Sequence, residues 1–343
     1  MVMNGRLENK LKIERRIQIM LSGMPYEVTE FYYNISTHTE ATTCLEYIKK
    51  IKRFLLYLYT ETGQIDFSAV TDTTITKFLK TIEIKEENGK VCSTSFSTWK
   101  QFRAALNTFF QYLYEKNKIS NNPVTLVKPP KQKDNVKRKF LSEKDLYLTL
   151  RAVEWGAGNE LCVNRQTEWK DRDRAILLMF ITTGMRESAL CDMNVSDLDL
   201  QNDDLVVIDK GYKKNTYTMT PELKKALFLW LKKRNDLLGD QKNIDALFIS
   251  NRRTRMTTRA VSYLVNKYTK EGIGQEVSPH RLRAAYGNIL LQKTNGDLHF
   301  VKNAMKHENI ATTEIYMENK EKETNDKAAK LISLSVSKLD SWE

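Results

Sequence analysis

Histidine and arginine side chains that can bind a phosphate are concentrated in the last quarter of the chain. Three of the four histidines lie there, at His280, His299 and His307. They form neither an HExxH motif nor a pairing with cysteine, so their spacing does not predict a metal site. His280 and Arg283 project from one face just after the helix start that is predicted at Ser278, where the helix dipole favours an anion. This arrangement suits a phosphate group.

Arginine and tyrosine at two further places have chemistry that fits the same ligand. Arg186 follows a continuously apolar segment and Gly184, which places a guanidinium at the edge of a rigid element, able to hold two phosphate oxygens. His307 and Tyr316 lie nine residues apart around a turn and a predicted helix start. For each of these residues considered alone, a structural role, such as a capping histidine or a half-buried tyrosine, is a better interpretation than a catalytic one.

The order and spacing of these residues together resemble a known family. TTGMRESAL is similar to the TGLRxSEL box of the tyrosine recombinases, the family of lambda integrase and the Xer proteins. SPHRLR resembles the HxLR box, MKHENIATTEIYM resembles the LGHxxxxTTxxYxH box, and DKGYKK resembles the GKGxK turn that holds the catalytic lysine. The resemblance covers about Lys139 to Asn325.

The resemblance implies a catalytic set of six residues: Arg186, Lys210, His280, Arg283, His307 and Tyr316. Tyr316 is the expected nucleophile, and the two arginines and His307 are expected to stabilise the phosphorane transition state. Lys210 would protonate the leaving 5′-oxygen, and His280 would assist proton handling and phosphate contact. A covalent 3′-phosphotyrosine would conserve the energy of the broken bond, so the resemblance implies no cofactor, neither ATP nor metal.

Two positions depart from the family's boxes. Ala189 stands three residues after Arg186, where the family usually has an acid, and Glu187 carries the acid two residues earlier. Ala284 follows Arg283 where histidine or lysine is common. In the family this acid normally helps to hold the site in place, so the sequence leaves open which residue supports Arg186. With the principal residues present, we expect an active enzyme that is slower or more tightly regulated.

The elements that must position these residues are predicted to be mostly helices. Apolar spacing predicts helices over 43–59, 73–81 and 95–116, and the polar EIKEENGK segment a loop. In the second half, AILLMFITT predicts a fully buried helix. LVVI and residues 216–220 predict a β-hairpin, and residues 247–250 a short strand. Further helix starts are predicted at Thr220, near Ala260, at Ser278 and at Thr312 or Thr313.

The 343 residues suffice for about two domains. We predict a mainly α protein. Residues 1–125 form an all-helical domain similar to the SAM-like core-binding domain of the family, with 1–40 a separate helix or flexible. Residues 126–139 are a basic linker, and 140–325 a mostly helical catalytic domain with a small antiparallel sheet. Residues 326–343 are a tail helix exchanged between protomers, unless the tail folds back onto its own domain.

The charge balance predicts a polyanionic partner. Lys and Arg number 55 against 43 Asp and Glu, a net charge of +12. Charge alone does not name the partner, and an unrelated basic enzyme is the alternative that it leaves open. The predicted DNA contacts are Lys49, Lys50, Arg53, Arg103, Lys131, Lys133, Lys137, Arg138, Lys213, Lys214, Arg252, Arg253, Arg255 and Arg259.

The expected function is site-specific recombination of double-stranded DNA through a Holliday junction, in integration, excision or dimer resolution. We expect a monomer or dimer in free solution and a homotetramer on paired sites, with an accessory DNA-bending or directionality factor left open. Four scattered cysteines without a CxxC pair and no apolar stretch of membrane-spanning length predict a cytoplasmic, nucleoid-associated protein rather than a membrane protein.

Two alternatives share parts of this interpretation. A type IB topoisomerase-like relaxing enzyme would use the same tyrosine, arginines and lysine as a monomer, but the short Xer-like size and the tail favour a recombinase. A DNA-binding regulator that has lost catalysis is weakened by the presence of all six residues of the set.

Overall fold

The computed structural model describes residues 5–87, 90–93, 95–129, 140–208, 214–239, 244–306 and 325–333. The chain divides into two compact units. The helical unit comprises Leu7–Lys137, and the mixed unit comprises Arg138–Glu343 together with Met1–Arg6. Among the described residues, no helix is both long enough and apolar enough to cross a membrane.

The helical unit is built around aromatic side chains. Its elements are α1 (Gly5–Leu21, of which the first two residues group with the mixed unit), α2 (Tyr26–Ser36), α3 (Ala41–Thr62), α4 (Asp72–Glu83), β1 (Ile84–Glu87), β2 (Lys90–Ser93) and α5 (Phe96–Glu115). The ring of Phe54 from α3 meets Phe78 of α4 edge-on at 5.0 Å and Phe110 of α5 at 5.8 Å between centroids. These rings lie on the apolar stripes that predicted the three helices, because residues three and four apart share a helix face.

Two local predictions for the helical unit are wrong. The EIKEENGK segment is an antiparallel hairpin and not a loop, with Ile84 paired to Ser93 and Glu87 to Lys90, so the unit is not entirely helical. Asn-Gly lies between the two strands in sequence, a pair that tight hairpins favour, but the charged strand residues masked this signal. Residues 5–36 form two helices rather than one separate helix or a flexible arm.

The mixed unit combines helices with a three-stranded antiparallel sheet of order β3-β4-β5. Its elements are α6 (Glu143–Trp155), α7 (Glu160–Thr167), α8 (Lys170–Thr183), α9 (Glu187–Asp192), β3 (Leu198–Asp199), β4 (Asp204–Ile208), β5 (Lys214–Thr218), α10 (Pro221–Leu238), α11 (Thr258–Ile273), α12 (Pro279–Lys293) and α13 (Leu298–Ala304). A short 3₁₀ turn precedes β3, and residues 325–333 are helical. The mainly α prediction is confirmed.

Helix α8 is the centre of the mixed unit. Every residue from Ala175 to Thr183 is buried, and α8 packs against α6, α10 and α12. The helix begins five residues before the predicted segment, because Asp171 and Asp173 occupy its first turn, where the helix dipole favours acids. The buried helix predicted from AILLMFITT is therefore present, and its far end leads directly to Arg186.

The short strand predicted over residues 247–250 is not formed. Only isolated bridges occur there, Asn194 with Ala246 and Ile249 with Arg255. Side chains take up the backbone carbonyls of this segment instead: Trp230 Nε1 donates to Leu247 at 2.9 Å. A short continuous run of buried apolar residues fits such an irregular segment as well as it fits a strand, so the sequence pattern could not distinguish the two.

The described part of the tail packs on its own unit. Ala328 and Ile332 are buried in the core of the mixed unit, and Ser333 Oγ donates to Glu222 of α10 at 3.2 Å. The predicted exchange between protomers therefore concerns residues 334–343, which lie outside the described residues.

Candidate active site

Arg283 on α12 joins the two chain segments that precede Arg186 and His307. It is only 3% exposed. Its Nη1 donates to the carbonyl of Gly184, and its Nη2 donates to the carbonyl of Met305 at 2.5 Å. Gly184 is two residues before Arg186, and Met305 is two residues before His307. One guanidinium thus holds together the backbones of all three sequence boxes.

Close packing reinforces this junction at two glycines. Gly184 ends α8 with φ +59°, the left-handed region that glycine adopts without strain. A Cβ at this position would collide with the ring of Tyr286 on α12. A Cβ at Gly287 would come within 2.5 Å of the Met305 sulfur. Helix α12 therefore packs against Gly184 and Met305 so closely that neither glycine position has room for a side chain.

Arg186 is half-buried and occupies the position directly before α9. This short helix is held at both ends by hydrogen bonds from the segment 255–262. At its start, Ser262 Oγ of α11 donates to Glu187 Oε1 at 2.6 Å. Burial raises the pKa of the Glu187 carboxyl, and its hydrogen bonds with Ser262 offset part of this effect. Just beyond its end, Arg255 donates to the carbonyl of Met193 at 2.8 Å.

The expected catalytic set is therefore placed in part. Arg186 and the exposed His280 stand at the N-terminal ends of α9 and α12, and Arg283 lies one turn further along α12. Lys210, His307 and Tyr316 fall outside the described residues. Their flanking chain is described, however: β4 and β5 on either side of Lys210, and residues up to Lys306 and from Asn325 around the other two.

The strand β5 and the ends of the segment that carries Tyr316 are fixed to one another. Asn325 Nδ2 donates to the carbonyl of Thr216 in β5 at 2.6 Å. Thr218 Oγ1 donates to Asp326 at 2.8 Å. Lys306 Nζ donates to Asn325 Oδ1 at 2.9 Å, which joins the two ends of the segment 307–324. The strand that follows Lys210 therefore lies beside both ends of that segment.

Three of the predicted DNA contacts have structural roles instead. Arg255 donates to the Cys191 and Met193 carbonyls and to Asn194 Oδ1. Arg103 donates to the carbonyls of Val127 and Val124, which ties α5 to the end of the helical unit. Lys50 is buried, with its Nζ 3.0 Å from Glu46. Sequence patterns missed these roles because each basic group could equally well face solvent.

The other predicted DNA contacts divide into exposed residues and residues that are not described. Arg53, Lys214, Arg252, Arg253 and Arg259 are exposed, and Lys49 is partly exposed, with its Nζ 2.6 Å from Glu46. Lys131, Lys133, Lys137, Arg138 and Lys213 lie outside the described residues.

A buried charge cluster that the sequence did not reveal supports the turn that carries Arg252 and Arg253. Arg172 of α8 donates to the Ile249 carbonyl at 3.0 Å and to Asn251 Oδ1 at 3.1 Å. It also pairs with the buried Asp173 at 2.8 Å. The sequence did contain a sign of this cluster, since charged residues begin the otherwise apolar helix α8. Such residues usually face solvent, so the pattern was not sufficient.

The two tyrosines nearest in sequence to Tyr316 among the described residues are unsuited to attack DNA. Tyr268 is fully buried and its hydroxyl donates to Asp173 Oδ2 at 2.7 Å. Tyr286 is 2% exposed. Burial raises the pKa of both phenols, so ionisation of either is disfavoured. Neither is therefore an alternative to Tyr316 as the nucleophile.

A profile described as the phage integrase family matches residues 159–323. The protein named tyrosine recombinase XerC of Thermodesulfovibrio yellowstonii is 34% identical over 217 residues, covering 62% of this chain and 68% of that protein. The chain belongs to the tyrosine recombinase family. The protein of the same name from Caldanaerobacter subterraneus is 33% identical over 217 residues, and this match spans just over half, 56%, of its length.

The fold agrees with that of solved family members. The structure described as a lambda integrase tetramer bound to a Holliday junction is similar at a TM-score of 0.58 and 20% identity, covering 84% of this chain and 80% of that one. At this identity the similarity concerns the fold alone. Within the part of the chain that the structure describes, no group of three His, Cys, Asp or Glu side chains could hold a metal ion.

Proposed function

We propose that the chain is a site-specific DNA recombinase that cuts a strand with Tyr316 and rejoins it to a new partner strand. The observation that supports this most strongly is the position of Arg283. Its guanidinium binds the backbone two residues before Arg186 and two residues before His307. The segments that lead to Arg186 and to His307 are distant in sequence and meet at the first turns of α12, which supports a single phosphate site.

In the proposed reaction, the Tyr316 oxygen attacks the scissile phosphorus, and the bond between phosphorus and the 5′-oxygen breaks. Arg186, Arg283 and His307 stabilise the charge that develops on the non-bridging oxygens. His280 takes part in moving the phenol proton, and Lys210 gives a proton to the departing 5′-oxygen. The 3′-phosphotyrosine retains a phosphodiester bond, so attack by the 5′-hydroxyl of the partner strand reverses the step without ATP.

The reaction joins two DNA sites, and we propose that four copies assemble on a pair of sites while the free protein is a monomer or dimer. The lambda integrase neighbour is described as a tetramer bound to a Holliday junction. The helical unit adds DNA contacts through Arg53 and the side of α3 around it. A requirement for an accessory DNA-bending factor and a location at the nucleoid stay predictions.

The test is covalent trapping on a pool of nicked duplexes with a randomised central sequence. The wild-type protein should form a protein–DNA adduct that survives denaturation, and digestion should place the DNA on the peptide that contains Tyr316. Tyr316→Phe should bind the pool and form no adduct. Binding without any adduct by the wild type would favour the inactive regulator. Relaxation of supercoiled plasmids that lack the enriched sequence would favour the topoisomerase.

A further inference from the structure

Lys306 occupies a backbone conformation that disfavours it. Its φ is +53°, in the left-handed region where residues with a side chain are strained. The family's LGH box has glycine at this position, and glycine adopts such a φ without strain. Lysine next to His307 thus costs stability that glycine would not. A residue kept in this conformation beside a candidate catalytic group directs attention to the contacts that its side chain makes.

The side chain of Lys306 makes two contacts that a glycine could not make. Its Nζ donates to Asn325 Oδ1 at 2.9 Å, and it lies 5.7 Å from the centre of the Tyr217 ring in β5. Asn325 is itself buried, 5% exposed, and donates to the carbonyl of Thr216. Lys306, Asn325 and β5 therefore form one connected group, which we call the Lys306 clasp.

The clasp lies where three expected catalytic residues are carried. Lys306 immediately precedes His307, Asn325 follows the segment that holds Tyr316, and β5 follows the turn that holds Lys210. The Arg283 bond to Met305 fixes the same end of the segment to α12. The described residues on either side of 307–324 are thus held to each other, to α12 and to β5.

We propose that Lys306 and Asn325 are positioning residues for DNA cleavage, with the Lys306 ammonium as the group that joins the two residues flanking 307–324 to each other and, through Asn325, to β5. This inference rests on the proposed function and adds to it. The clasp acts through the residues that it orients, since a small misplacement of a reacting group slows a reaction far more than it weakens binding. The family's box provides a glycine there and thus no such side chain.

Two substitutions separate positioning from folding. Lys306→Met keeps the aliphatic stem and the strained backbone but removes the ammonium. Lys306→Gly removes both the strain and the clasp. We expect both variants to bind DNA like the wild type, and Lys306→Gly to be at least as heat-stable. Both should form the covalent adduct on the enriched nicked duplex roughly tenfold or more slowly at saturating DNA.

The controls distinguish a failed inference from a failed proposed function. Asn295→Gly relieves a similar φ, +52°, at an exposed position beyond α12 and should leave the rate unchanged. Asn325→Ala should be slow, and adding Lys306→Met to it should slow cleavage little further if the two residues act as a pair. Wild-type rates in Lys306→Met, or fully additive losses in the double variant, would overturn the clasp. If the wild type forms no adduct while Tyr316→Phe binds equally well, the proposed function itself fails.

Discussion

Replacing Arg283 by lysine tests whether a guanidinium with two donor groups is needed at the junction of the three boxes. The lysine keeps the charge, but a single ammonium cannot reach both the Gly184 and the Met305 carbonyls from α12 in the same way. A hydrogen bond from a charged donor stabilises by about 1.5–3 kcal/mol, so losing one lowers the free energy of unfolding by about that amount. For a unit of this size the melting temperature should fall by about 3–12 °C.

Loss of stability alone would not show that Arg283 takes part in cleavage, and the chain offers a matched control. Arg234 on α10 is also buried, and it also donates to two backbone carbonyls, those of Ala246 at 2.9 Å and Ile244 at 2.5 Å. It belongs to no box. Arg234→Lys should therefore lower the melting temperature by a similar amount.

The two variants should differ in the rate of covalent adduct formation, measured in single turnover below either melting temperature. Removal of one preorganised donor from a developing oxyanion slows a reaction by about 10²–10³. Arg283→Lys should show a loss of that order, and Arg234→Lys should cleave like the wild type once corrected for the folded fraction. Equal rates for the two variants, whether both fast or both slow, would refute the assignment of Arg283 to the phosphate site.

Three further outcomes follow from the site and its surroundings. Lys210→Ala should cleave ordinary DNA slowly but a substrate with sulfur at the bridging 5′-position almost normally, because a thiolate leaves without a proton; Lys214→Ala should show a modest loss on both substrates. Arg252→Ala and Arg253→Ala should each reduce the salt dependence of DNA binding by about one ion in a salt titration, whereas Arg255→Ala should instead lower the melting temperature, through the carbonyls of Cys191 and Met193. Truncation after Ser333, the last residue seen packed on the mixed unit, should leave binding to a single site intact in gel-shift titrations but weaken cooperative assembly on paired sites; unchanged cooperativity would exclude exchange of residues 334–343.

Local signals explain which parts of the fold the sequence predicts. Thr220 and Ser278 stand directly before Pro221 and Pro279, and helices begin at both prolines because the ring fixes φ at a helical value. Thr220 also caps its helix, since its side chain accepts a hydrogen bond from the Leu223 N–H. Helix α8 is continuously apolar from Ala175 to Ile181 and is buried there for that reason. These features require no knowledge of distant parts of the chain.

The roles of individual basic residues were not predictable in this way. Arg255 meets Met193, 62 residues away in sequence, and Arg172 meets Asn251, 79 residues away. A guanidinium can serve a DNA phosphate or a backbone carbonyl with the same donors. Which acceptor it meets depends on tertiary structure, so neither composition nor spacing could separate the structural Arg255 from the exposed Arg252.

The displaced acid of the first box illustrates how one fold can support the same arginine by a different route. Residues two apart on a helix point about 200° apart, so Glu187 cannot reach what an acid at position 189 would reach. Ala189 is 3% exposed and faces the core, where an unpaired carboxylate would be costly. Glu187 instead meets Ser262 on α11, and Arg255 fastens the other end of α9. Hydrogen bonds from residues 255–262 thus hold the helix that starts after Arg186. These residues closely follow the exposed Arg252 and Arg253.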